Sequence, residues 1–187
     1  MSGLCKLFEH AGRAAPTALA EWEEQVRAWC DEYMDKFDGA ELSEVNLGYA
    51  VFIFDHKWER VTLAYALSIE QLMKRDASRM QGFPDPNVSA RKVLREKAFR
   101  ADKGHFLGHA SGGALDINLF PQRRELNRGW SDEGNQFRKM ERYVAEHPRT
   151  FFYHRPIYDD ETWVPHLLEY GMLEDGTHWR IATFANK

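Results

Sequence analysis

Three side chains in the second half of the sequence have the types and spacing of a hydrolytic site. They are His105, Asn118 and Asn127, and a loop that contains glycines separates the first two. A histidine titrates near neutral pH and can act as a general base. An asparagine carboxamide oxygen is a neutral ligand for a hard cation such as Mg²⁺, which needs few protein ligands and keeps several waters. A base and a cation held together are what phosphodiester hydrolysis requires.

A hairpin and the helices after it must position these side chains. A hairpin strand that ends in His105, followed by a helix that presents Asn127, would place the base and the cation ligand on one phosphate. A further helix is predicted at residues 131–147, where Pro148 ends it. Its buried face is predicted to contain Phe137, Met140 and Val144.

Strands are predicted to complete this half of the chain. Short apolar and aromatic segments occur at residues 150–158, 162–170 and 178–184, and the pair Asp175-Gly176 predicts a tight hairpin turn between the last two. The half is therefore predicted to be α+β, with antiparallel strands and a helix packed against them.

The first half is predicted to differ from the second in both charge and structure. Residues 1–85 contain 9 basic and 15 acidic side chains, whereas residues 86–187 contain 16 basic and 14 acidic ones. The basic excess is greatest within residues 89–142, which include a basic strip at 90–100. A local positive field suits a polyanionic ligand, although a solvated charged surface is the alternative. The sequence QGFPDPN at 81–87 predicts the boundary between an acidic N-terminal segment and a second domain.

Residues 1–85 are predicted to be mainly helical and to have an accessory, adaptor or regulatory role. An irregular tail is expected before a helix at residues 16–37, where aromatic and apolar residues recur at steps of three and four. A buried strand is predicted at 49–54. Residues 58–73 fit both a helix and a strand, and we favour the helix.

The remaining composition limits the class of protein. Hydrophobic residues make up 43% and charged residues 29% of the chain, as in globular proteins. The N-terminus has Glu9, His10 and Arg13 where a signal peptide needs an apolar run, and no segment approaches the ~20 apolar residues of a membrane span. The two cysteines predict reduced thiols in a cytoplasm, and the histidine spacing does not predict zinc.

Three motifs in the central stretch together resemble a known family. DKGH at 102–105, DINLFPQ at 116–122 and ELNRG at 125–129 occur in order. This pattern is similar to that of the DNA/RNA non-specific endonucleases of the ββα-metal, or His-Me finger, superfamily. The resemblance extends over about residues 98–141, with weaker similarity in the later sequences RPIY and FAN. It implies a ββα-metal nuclease core at 86–187.

The resemblance assigns roles by position. It implies that His105 is the general base and that Asn127 is the direct ligand of Mg²⁺, for which Mn²⁺ can substitute. Glu141 would reach the metal through water. Asn118 would hold the loop by hydrogen bonds and so orient His105, and Asp102 would fix the backbone of the motif.

Other residues near the motif are candidate phosphate ligands. The family usually has arginine where this chain has Lys103, and lysine keeps the positive charge but loses the bidentate fork. The remaining candidates are Arg123, Arg124, Arg128, Arg138 and His109. Some of these arginines should contact phosphate, and others should pair with Glu125, Glu133 or Glu141. For His109, phosphate binding and a plain turn are equally weighted alternatives.

The sequence therefore predicts a metal-dependent nuclease that hydrolyses DNA, RNA or both and leaves 5′-phosphate ends. One alternative is that the same nuclease is a delivered antibacterial toxin, exported by a dedicated system and neutralised by an immunity or inhibitor protein. Another is a degenerate protein that binds nucleic acid without cleaving it. With no signal peptide, a cytoplasmic location is predicted unless the protein is delivered, and no membrane partner is expected.

Overall fold

The computed structural model describes residues 2–70, 101–113 and 116–186. They form an α+β fold, as predicted. The described strands are β1 Leu42–Asn46, β2 Ala50–Asp55, β3 Arg60–Leu67, β4 Ala101–His105, β5 Leu119–Arg123, β6 Phe151–Ile157, β7 Leu167–Glu174 and β8 His178–Ala185. The described α-helices are α1 Gly3–His10, α2 Trp22–Lys36, α3 Arg124–Arg128 and α4 Asp132–Glu146. None of these helices combines the length and the apolar character needed to cross a membrane.

Six strands form one antiparallel sheet in the order β1-β2-β3-β6-β7-β8, and β4 pairs with β5 in a separate ribbon. Successive side chains of a strand point to opposite faces, and both faces of this sheet are covered. Val51 and Ile53 of β2 pack with α1 and α2, whereas Ala50 and Phe52 pack with α4 and the ribbon. The sheet therefore supports the candidate site on one face and the N-terminal helices on the other.

The prediction of a helix at residues 58–73 is wrong for the described part of that range, because β3 lies there. All eight residues of β3 are buried, and the strand pairs with both β2 and β6. A strand buried on both faces is almost continuously apolar, so its sequence also fits a helical spacing. Pairing with two neighbouring strands is what favours the extended form.

The large sheet crosses the predicted boundary between residues 1–85 and 86–187. Tyr65 of β3 pairs with Tyr153 of β6, so strands from both parts of the chain belong to one sheet. Residues 1–85, predicted to be mainly helical, contain the strands β1, β2 and β3 as well as α1 and α2 in their described part. Two predicted features fall outside the described residues: the boundary at 81–87 and the basic strip at 90–100.

Several predicted elements are confirmed. Helix α2 lies within residues 16–37, and α4 lies within 131–147, where the Ser131 hydroxyl accepts a hydrogen bond from the Gly134 N–H and caps the first turn. The predicted hairpin between β7 and β8 is present. Its turn residues have the positive φ angles of a type I′ turn, 52° at Asp175 and 71° at Gly176.

Two element boundaries differ from the prediction. The strand predicted at residues 162–170 begins only at Leu167 and continues to Glu174. The segment predicted to be a tail contains α1, because Leu7 and Phe8 bury their side chains against the sheet. A local signal for this helix is present in the sequence, since Leu4, Leu7 and Phe8 recur at helical spacing and the Ser2 hydroxyl accepts a hydrogen bond from the Cys5 N–H.

Candidate active site

The candidate general base, His105, is the last residue of β4 and pairs with Leu119 at the start of β5. It is nearly buried, with 9% of its surface exposed. Gly104 permits the close approach of the two strands, because a Cβ at this position would lie 2.5 Å from the Gln122 side chain. The pairing of β4 with β5 therefore fixes the position of the His105 backbone at the start of the loop.

Asn118 ties the loop after His105 to the start of β5. Its side chain is fully buried; Oδ1 accepts a hydrogen bond from the Leu107 N–H, and Nδ2 donates one to the Leu107 carbonyl, both at 2.8 Å. Its own carbonyl accepts from the Phe106 N–H at 3.0 Å. These are hydrogen bonds of the kind predicted for Asn118, and the orientation of His105 by them remains a prediction.

A cleft of about 540 Å³ lies between this loop and helices α3 and α4. The loop side contributes two histidines, α3 contributes the candidate metal ligand, and α4 contributes two arginines and two glutamates. The predicted site residues that line the cleft are His105, His109, Asn127, Arg138 and Glu141. Six others are outside its lining: Asp102, Lys103, Asn118, Arg123, Arg124 and Arg128.

Glu141 is the predicted acidic residue that lines this cleft. About a quarter of its side chain, 24%, is exposed, and Arg138 Nη1 lies 3.6 Å from its Oε2. Burial raises the pKa of Glu141 to about 7, and the positive charge of Arg138 only partly opposes this shift. The ionised carboxylate is therefore poorly compensated in the cleft, and a bound cation would favour it.

Asp102 is the centre of a charged cluster that holds α3 against β4. Its carboxylate accepts hydrogen bonds from Arg124 Nε at 3.0 Å and Arg128 Nε at 2.5 Å, and Asn127 Nδ2 lies 3.4 Å away. Burial raises the pKa of Asp102, but the hydrogen bonds from Arg128, Arg124 and Asn127 outweigh it and lower the pKa overall. Since a carboxylate can only accept here, it binds the amide nitrogen of Asn127 and leaves Oδ1 for another ligand.

The basic candidates divide between ion pairs and the cleft. Arg123 Nη2 pairs with Glu133 Oε2 at 2.5 Å, and this pairing is the main reason that the pKa of Glu133 is lowered. The predicted pairing of arginines with Glu133 and Glu141 is thus present for Arg123 and Arg138, whereas Arg124 and Arg128 pair with Asp102 instead. Lys103 is partly buried in β4 and lies two residues before His105, on the same side of the ribbon.

Two buried polar residues that were not among the predicted site residues connect the region of the ribbon to the large sheet. His154 of β6 donates a hydrogen bond from Nδ1 to the carbonyl of Phe106, the residue after His105. Asn186 accepts from the Arg123 N–H at 2.8 Å and donates to the carbonyls of Pro121 and Pro165. Asn186 belongs to the FAN sequence noted above, but the hydrogen bonds of both residues join segments that are far apart in the chain.

Replacement of His154 by leucine should lower the stability of the protein. Burial lowers the pKa of His154 to about 3, so the ring stays neutral and Nδ1 can serve as the donor. Without it the buried Phe106 carbonyl lacks this partner, which should reduce the free energy of unfolding by about 1–3 kcal/mol. Urea denaturation measures the loss, and the exposed His178→Ala serves as the control; a His154→Leu protein as stable as the wild type would contradict this role.

Glu141 should make the stability of the metal-free protein depend on pH. The pKa of the folded state lies above the ordinary value of 4.5, so the folded state binds the proton more tightly than the unfolded state. Stability should therefore fall as pH rises from about 4.5 through about 7. In EDTA, Glu141→Gln should gain stability relative to the wild type between pH 5 and pH 8, whereas Glu24→Gln on the surface of α2 should not. Equal pH profiles for Glu141→Gln and the wild type would show that this carboxyl is not shifted.

Comparison with known proteins adds no family to this description. A scan against models of protein families gave no match, and a search of curated proteins also gave none. The fold and the chemistry of the cleft are therefore the basis for the function proposed below.

Proposed function

We propose that this protein is a metal-dependent, sequence-tolerant nuclease that hydrolyses phosphodiester bonds of DNA, RNA or both. The principal support is that one cleft is lined by His105, Asn127, Glu141 and Arg138, which come from three separate elements. In this proposal β4, β5 and the following helices form the ββα-metal core that the sequence resemblance implies.

The residues of the cleft fit a hard divalent cation. The Asp102 carboxylate accepts from the amide nitrogen of Asn127 and leaves Oδ1 as a neutral oxygen ligand. Glu141 supplies a carboxylate whose ionised form Arg138 compensates only in part. Mg²⁺ prefers oxygen ligands and retains several waters, so Asn127 with Glu141 acting through water would suffice, and Mn²⁺ could replace it. When bound, the cation would neutralise charge that develops on the phosphate and on the leaving oxygen.

The protein side chains perform the proton transfer and the positioning. His105 accepts a proton from a water molecule as the water oxygen attacks phosphorus in line. The bond to the 3′ oxygen breaks, that oxygen leaves with the bonding electrons and takes a proton from solvent, and a 5′-phosphate end remains. Asn118 holds the loop behind His105, and Arg138 places positive charge at the side of the cleft.

Cleavage of defined substrates tests this proposal. Purified protein should degrade plasmid DNA or RNA with Mg²⁺ or Mn²⁺, should stop when EDTA is added, and should produce 5′-phosphate ends. The rate should fall as salt rises, because cations of the protein would compete with salt for the phosphates. Binding of nucleic acid without cleavage at every metal concentration would contradict the nuclease and favour the degenerate binding protein.

A further inference from the structure

Trp130 is the most exposed of the large hydrophobic side chains described, with 64% of its surface in solvent. It follows Gly129, the residue that ends α3, and so lies three residues after the candidate metal ligand Asn127. The Arg128 guanidinium lies against its ring, with Cζ 4.9 Å from the ring centroid. A solvent-exposed indole next to α3, the helix that carries the candidate metal ligand, is suited to contact a ligand.

The backbone that carries this indole is held in place by its surroundings. The backbone N–H of Trp130 donates to the Glu125 carbonyl at 2.9 Å, and Gly129 has the positive φ of 71° that turns the chain at this point. Arg128 is held in turn, since Nε and Nη2 donate to the Asp102 carboxylate at 2.5 and 3.2 Å. The same carboxylate contacts Asn127, so the Arg128–Trp130 pair and the candidate metal ligand share one anchor.

We infer that Trp130, supported by Arg128, is a stacking site for a nucleobase next to the bond that is cleaved; this inference rests on the proposed function. An aromatic ring stacks on any base. The Arg128 guanidinium, which Asp102 already pairs, lies against the ring of Trp130 and supports it. In a duplex both faces of a base are covered by its neighbours. The site therefore favours single-stranded or unpaired nucleic acid over continuous duplex.

The surroundings of Trp130 favour a nucleobase over a protein partner. A protein interface needs a contiguous apolar patch. The other exposed large hydrophobic residues among those described are Met34, Leu47, Ile69, Trp179 and Ile181, and none belongs to α3, α4 or the β4–β5 hairpin. A single exposed ring, supported by one guanidinium, matches the chemistry of one base.

Binding measurements separate this inference from the chemistry of cleavage. In a His105→Ala background, fluorescence anisotropy would compare labelled single-stranded and duplex DNA oligonucleotides of one sequence. Trp130→Ala should weaken single-strand binding about tenfold, equivalent to ~1.4 kcal/mol, and duplex binding less than about twofold. Trp130→Phe should retain most of the affinity, and Ile181→Ala, which truncates an exposed residue of β8, should change neither.

Single abasic nucleotides locate the contact. An abasic site at one position should weaken binding to the protein with Trp130 and should cause no further loss in Trp130→Ala. Unchanged single-strand affinity in Trp130→Ala would overturn the inference and leave the indole to a protein partner. If Trp130→Ala weakened duplex binding as much as single-strand binding, and this loss persisted with every abasic oligonucleotide, Trp130 would have a role in folding and the inference would be wrong. If the binding results agree with stacking on Trp130 but the protein with His105 cleaves no substrate, the proposed nuclease activity is wrong and the base-stacking site is retained.

Discussion

His105→Ala is expected to reduce the rate of phosphodiester cleavage by about 10²–10⁴-fold, the usual contribution of a positioned general base. The substitution removes the imidazole that accepts the proton of the attacking water, and it leaves the arginines and the cation ligands of the cleft in place. Substrate affinity should therefore change little. Single-turnover cleavage with enzyme in excess measures the chemical step without product release.

Controls must separate lost chemistry from lost structure. His105 is nearly buried, so its truncation will also cost some stability, which thermal unfolding measures at the same time. His178→Ala at the exposed start of β8 should cleave like the wild type. A folded His105→Ala protein that cleaves within about tenfold of the wild type would exclude His105 as the base.

Asn127→Ala is expected to lower cleavage by ~10³-fold at a fixed Mg²⁺ concentration, since a metal contributes several kcal/mol of charge stabilisation. Asn127→Asp keeps an oxygen ligand but loses the amide that donates to Asp102, so its activity should be intermediate. Asn135→Ala, on the exposed surface of α4, is the matched control and should be unaffected.

The metal role of Asn127 also has a measurement that does not depend on activity. A ligand that binds only the folded state raises the unfolding temperature. Mg²⁺ should therefore stabilise the wild type and Asn135→Ala in thermal unfolding, and it should stabilise Asn127→Ala much less. The same dependence of stability on Mg²⁺ in Asn127→Ala as in the wild type would exclude Asn127 as the main ligand.

The local part of the site could be predicted from sequence because its residues are close in the chain. The hairpin strand that ends at His105 and the helix with Asn127 lie within one continuous stretch, so short-range patterns sufficed to predict them. Glu141 lines the same cleft because α4 follows almost directly, and the apolar face of α4 was evident from its spacing.

The supporting sheet could not be predicted in the same way. β3 pairs with β6 across a long separation in sequence, and such a pairing has no local signature. Strands buried on both faces lose the polar alternation that distinguishes strand from helix, which explains the wrong helix at 58–73. The hydrogen bonds of His154 and Asn186 depend on this sheet and were missed for the same reason.

Charge counts could not show which cations remain available to a ligand. Arg124 and Arg128 lie close to Asn127 in sequence, as phosphate ligands would, but both donate to Asp102. Only the arrangement of β4 against α3 brings that carboxylate to them. Arg138, although it lies near Glu141, is the predicted arginine that lines the cleft.

The most direct test of the proposed nuclease activity, with His105 as general base, is the initial rate at which 5′-phosphate ends form on plasmid DNA and RNA with Mg²⁺. This rate is measured in parallel for the wild type and His105→Ala. If the protein is the proposed nuclease, the wild type should form ends rapidly, EDTA should abolish this, and the rate for His105→Ala should be at least about a hundredfold lower. Equal rates for the two proteins, or no end formation by the wild type with Mg²⁺ or Mn²⁺, would contradict this proposal.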